Sequence, residues 1–171
     1  MLEDIFSPPP APEVSWVLIQ CHGSATSAPN PICISADATV WELKKKIEEN
    51  NNVTNLPAIK QDLVHEGMRL LGDLLPLRYY KITNNTSSYL HLYEKIQVTV
   101  YKDDLPVPIT ANDGMTVGHL RKMVLDVFHH YCSEHYALER LNGELLHNDV
   151  TLPAANIVDG TRLNLVFRLY I

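Results

Sequence analysis

The residues best suited to do chemistry lie in one short run, HHYCSEH, His129 to His135. His129 and Cys132 are three apart, a spacing that puts both on one helical face, and His135 lies three further on. Zinc needs about four converging ligands at fixed geometry, and no second ligand pair stands elsewhere in the chain. Histidines beside a helix C-terminus, favoured by the helix dipole, and a half-buried cysteine account for the run with no metal. A nucleophilic Cys132 would need an electropositive pocket and a third orienting group, and no Asn or Asp partner is evident. The chain also has no glycine-rich phosphate loop, no GxSxG and no paired-carboxylate signature. The expectation is a protein that is not an enzyme and needs no cofactor or metal.

Charge narrows the partners. A formal net charge of -6 and a pI near 5.7 argue against nucleic acid and anionic membranes. The one basic run, Lys44-Lys45-Lys46, is flanked by Glu42, Glu48 and Glu49 and reads as a solvated helix face. Three cysteines without a CxxC pair point to a reducing compartment. No apolar run is long enough to span a bilayer, and the first residues lack the pattern of a signal peptide. The expected location is the cytoplasm.

The elements that must position any functional residue occur twice. Residues 1–14 are rich in proline and read as a flexible or extended arm. WVLIQCH and PICIS then form a hairpin pattern, and TVWELKKKIEEN places Val40, Leu43 and Ile47 on one helical face. KQDLVHEGMRLL reads as two short strands turning at Gly67, and SSYLHLY closes the first copy with strand alternation. In the second copy IQVTVY and PVPIT take the hairpin's place. The helix TVGHLRKMVLDVFHHY carries Val117, Leu120, Val124 and Val127 on its core side. YALERLNGELL turns at Gly143, and TRLNLVFRL is the last strand. Only Tyr93-Glu94-Lys95 separates the copies, so two small domains with a very short connection are expected, 15–95 and 96–171.

This order, with these residues, resembles the ubiquitin-like β-grasp family over about residues 16 to 171. Leu90-His91-Leu92 and LNLVFRL look like its last strand, Thr39-Val40 and Thr116-Val117 like its helix start, and Tyr80-Lys81-Ile82 like its tyrosine corner. The resemblance implies an α+β protein of two tandem β-grasp domains, each a mixed sheet packed on one main helix. Two such domains with almost no linker resemble the interferon-induced tandem ubiquitin-like modifiers of vertebrates. They are also similar in plan to the tandem modifiers of bacterial antiphage conjugation operons.

In that family a tail ending Gly-Gly follows the last strand. Its carboxylate is adenylated by an activating enzyme and passed through thioesters to an amine. Leu169, Tyr170 and Ile171 occupy the place where this tail would begin, and the terminal glycines are absent from this sequence. The expected function is a protein modifier attached through its C-terminus. Its implied partners are activating and conjugating enzymes, a tail-processing protease and receptors of ubiquitin-like domains. The alternative is a non-conjugated adaptor recruiting partners through its sheets.

The resemblance carries over the family's binding surface to Val64, His91 and Tyr93. It places Arg168 where a tail arginine meets the activating enzyme. In the second copy the corresponding places are Arg140, Asn164 and Val166, a more polar set. Met68 and Glu144 replace chain-building lysines, and Lys44 alone matches one, so polymer formation through the protein's own lysines is not expected.

Overall fold

The structure, a computed structural model, describes residues 14–22, 28–50, 52–83, 87–129 and 133–168. They divide into two compact units. One holds the described residues up to Ala58 together with Leu63–His91, and the other holds Ile59–Asp62 and the described residues from Leu92.

In the first unit β1 (Val14–Cys21) and β2 (Asn30–Ser35) are antiparallel, with Val17 opposite Ile32 and Trp16 opposite Cys33. Alternation places Val17, Ile19, Ile32 and Ile34 in the core, while Trp16 is exposed. Helix α1 (Val40–Glu49) starts at a capping box: the Thr39 hydroxyl accepts from the Glu42 N–H, and the Glu42 carboxylate accepts from the Thr39 N–H. Val40, Leu43 and Ile47 are fully buried on its inner face. β3 (Gln61–His65) and β4 (Met68–Arg69) are joined by Glu66-Gly67, both at positive φ (48° and 79°), the conformation a two-residue type I′ hairpin requires. β5 (Ser88–Lys102) has β1 and β3 as neighbours, giving the order β2-β1-β5-β3-β4.

In the second unit β5 pairs antiparallel with β6 (Leu105–Asn112), and the turn Asp103-Asp104 again has both φ values positive (50° and 66°). Helix α2 (Val117–Val127) is capped by Thr116. β7 (Tyr136–Arg140) runs antiparallel to β8 (Arg162–Phe167), which is itself parallel to β5. Val98, Val100, Val117, Leu120, Val124, Leu138, Leu152 and Leu163 form the fully buried centre of its core.

Three local expectations are corrected. Tyr93-Glu94-Lys95 is no linker between two strands but part of β5, which runs unbroken from Ser88 to Lys102. The alternation of Leu90, Leu92, Ile96 and Val98 keeps one register through it, and only Glu94 at that register is exposed. Helix α2 ends at Val127 and not at Tyr131: Phe128 is its C-cap and His129 is left-handed, φ 53°. Glu144–Leu146 forms no strand; it meets β7 in an isolated bridge, Glu139 with Leu145, beside a turn at Gly143 (φ 85°).

The loop after β4 in the first unit, and the one after the Gly143 turn in the second, dock onto the helix start in the same way. Val40 and Trp41 donate their N–H groups to the Leu75 and Asp73 carbonyls at 3.0 and 2.9 Å. Val117 and Gly118 donate to the Val150 and Asn148 carbonyls at 2.9 and 2.8 Å. These are among the N–H groups that a helix cannot satisfy internally. Ile82 and Ile157, both buried, close the same loops, donating to the Leu77 and Leu152 carbonyls after the left-handed residues Lys81 and Asn156.

Candidate functional site

The outer sheet face of the first unit carries the candidate surface. Leu63 is buried and His65 is nearly so, which turns the intervening Val64 of β3 outward, half-buried. On β5 the inward Leu90 leaves Tyr89 exposed and His91 half-buried on the outer face. By the same alternation Trp16 of β1 is outward and 53% exposed. His22, one residue past β1, reaches His91: its Nε2 lies 2.7 Å from His91 Nδ1, with ring centroids 4.9 Å apart. His22 was not anticipated as part of this surface. It ends the run WVLIQCH, but periodicity says nothing about which neighbour a residue beyond the strand meets.

Tyr93 lies in the second unit, half-buried, with its ring over Gly114. Desolvation, with the Asp113 carboxylate as the smaller cause, raises its phenol above the ordinary tyrosine range. The adjoining backbone is tied to the same turn: the Glu94 N–H donates to Asp113 Oδ1 and the Asp113 N–H to the Glu94 carbonyl.

Arg168 follows β8 and is exposed. Its N–H donates to the His135 carbonyl at 2.6 Å, and its guanidinium lies 3.4 Å from the Glu139 carboxylate on β7. Leu169, Tyr170 and Ile171 lie outside the described residues. Arg140 turns inward chemically: it donates to the Ala155 carbonyl and pairs with Glu144. Asn164 and Val166 are half-buried on β8.

Lys44 is 1% exposed, and its ammonium meets Asp73 at 2.5 Å. That burial removes it from any reagent that needs a free amine. A groove of about 540 Å³ beside α1 and β2 is lined by Ile34, Trp41, Lys45 and Lys46 among others. Lys46 also donates to the Cys33 carbonyl on β2 at 3.0 Å, covering part of that strand's outer edge. Cys21 donates its thiol proton to the Val53 carbonyl, and burial raises its pKa, so the thiolate is disfavoured.

Of the histidines in the run His129 to His135, two lie among the described residues. His129 lies past α2, and His135 sits in a short 3₁₀ turn against Phe167, ring centroids 5.7 Å apart. Cys132 lies outside the described residues. Among the described residues no group of three or more His, Cys, Asp or Glu is placed to hold a metal ion. Among them, too, no helix is long and apolar enough to cross a membrane.

Residues 26–97 match the model of the ubiquitin family. The chain carries a ubiquitin-like domain. Two solved structures to which it is similar are the ubiquitin-like domain of an Arabidopsis thaliana protein and Caldiarchaeum subterraneum ubiquitin. The first is 22% identical, with 55% of this chain and 92% of that one covered at a TM-score of 0.41. The second is 19% identical, with 44% and 95% covered at a TM-score of 0.40. No curated protein matches.

Proposed function

We propose that the protein is a tandem ubiquitin-like modifier, with residues 15–95 and 96–171 as its two β-grasp domains and residues 1–14 as an arm. In this reading it is attached to targets through its C-terminus by an activating and conjugating cascade, on the plan of the interferon-induced and antiphage tandem modifiers. One observation carries the tandem reading. The bonds from Val40 and Trp41 to the 73–75 loop recur from Val117 and Gly118 to the 148–150 loop, although the two sequences there differ. Arg168, exposed at the end of β8, is the residue we assign to contact with the activating enzyme.

The test is expression of the complete gene product with an N-terminal epitope tag in its own cells, followed by purification under denaturing, reducing conditions. Adducts that survive thiol and give branched peptides on a target lysine are expected. A single band of unmodified protein would sink the modifier reading.

A second reading, a non-conjugated adaptor, is favoured by the outward set Trp16, His22, Val64, Tyr89 and His91 on one sheet face. Under it, native pull-down recovers partners that Val64→Asp loses, with no covalent adduct in the denatured sample.

A further inference from the structure

The paired rings of His22 and His91, which the adaptor reading counts only as part of an outward surface, carry a chemistry of their own. They belong to one unit, at the end of β1 and on β5, which are neighbours in the sheet. Both rings are reachable by solvent, one exposed and one half-buried. Their facing nitrogens, Nε2 and Nδ1, are 2.7 Å apart.

We propose that this pair is a binding site for a divalent d-block ion, with Cu(II) preferred. Imidazole nitrogens bind such ions at about 2.0–2.1 Å. Two nitrogens at that distance in adjacent corners of a square-planar ion are about 2.9 Å apart, and in a tetrahedral ion about 3.3 Å. The observed separation falls short of the first by a few tenths of an ångström. With centroids 4.9 Å apart the two nitrogens face each other almost head-on, so both rings must turn by about 45° to bring their lone pairs onto one square-planar ion. Tetrahedral zinc needs a wider opening. Square-planar nitrogen coordination suits Cu(II) and Ni(II), and the general affinity order places Cu(II) highest. Waters complete the coordination.

The protons balance without an outside base. In the neutral pair one bridging N–H is shared between the rings. That proton moves to the far nitrogen of its own ring, so His22 is protonated at Nδ1 and His91 at Nε2. Each ring stays neutral and presents one lone pair to the metal.

The chain has eight histidines, so the experiment must locate the ion as well as detect it. The probe is Cu(II) alone, added to the isotope-labelled full chain in a weakly coordinating buffer, with paramagnetic broadening of amide signals as the readout. The first equivalent is expected to broaden residues around Gln20–His22 and Leu90–Leu92. His22→Gln and His91→Gln are each expected to weaken binding about 100-fold, because the second ring no longer acts at high effective concentration. His147→Gln, at an exposed position outside this pair, serves as the control and leaves binding unchanged. Amide spectra without metal report whether each variant is folded, and His22→Ala and His91→Ala supply a second pair should a glutamine disturb the sheet. Broadening spread over all histidines, or binding that ignores both substitutions, would mean an adventitious ion only and would overturn the site.

Discussion

The ring of Tyr93 lies so close over Gly114 that a Cβ there would sit 2.5 Å from Tyr93 Cδ1 and nearer still to Cε1. Both residues belong to the second unit, one on β5 and the other in the turn that leads to α2. Gly114→Ala therefore has to push the ring away from its seat, at a cost of about 1–3 kcal/mol. Urea unfolding measures it. In a Tyr93→Ala background the same substitution should cost little, and an undiminished cost there would show that the ring is not the obstacle.

The two helix caps differ by one reciprocal bond. Thr39 belongs to a full capping box with Glu42, whereas Thr116 faces His119, which supplies no carboxylate. Each Thr→Ala substitution should destabilise by about 1 kcal/mol, with Thr39→Ala the larger loss. Equal losses would show that the Glu42 bond adds nothing.

Lys44 should resist amine chemistry. Limited acetylation of the native chain, read by peptide mass spectrometry, is expected to label the exposed Lys45, Lys46 and Lys81 and to leave Lys44 unlabelled until the protein unfolds. Asp73→Asn, which removes the carboxylate but not the burial, should leave that protection in place. Early labelling of Lys44 would contradict its enclosure.

Asp159 gives the second unit an acid-sensitive contact. Its carboxylate accepts from Lys60 Nζ at 2.6 Å and from the Gln97 N–H at 2.7 Å, and these bonds, Lys60 first, hold its pKa below the ordinary value. A carboxyl depressed on folding contributes stability that is present above its unfolded pKa, about 3.9, and is lost as pH falls through the folded value. Wild type should therefore lose stability more steeply below about pH 4 than Asp159→Asn, and the two curves should run parallel near neutrality. Matching slopes in acid would remove the contact from the account.

β6 has β5 as its one neighbour among the described residues, and its Pro106 and Pro108 stand opposite Tyr101 and Thr99. Proline offers no N–H, so its alternate placement strips donors from this outer edge. Pro106→Thr with Pro108→Thr should produce concentration-dependent self-association in sedimentation velocity. A variant that stays as monodisperse as wild type would mean that the prolines do not guard the edge.

Much of this was written along the chain. Period-two alternation marked β1, β2, β5 and β8, and the spacing of Val40, Leu43 and Ile47 marked α1, because burial demands are periodic wherever one face meets a core. The turn at Gly67 was legible for a similar reason: a positive φ is cheap only for a few residue types. Local order does not report which residues meet across strands. The His22–His91 pair, the seat of Tyr93 on Gly114 and the burial of Lys44 against Asp73 all join positions far apart in the chain. Each was settled by strand order and loop path, which no window of sequence contains. The unbroken course of β5 belongs with them, since three polar or aromatic residues between two strands read equally well as a joint or as strand until backbone partners such as Asp113 hold them extended.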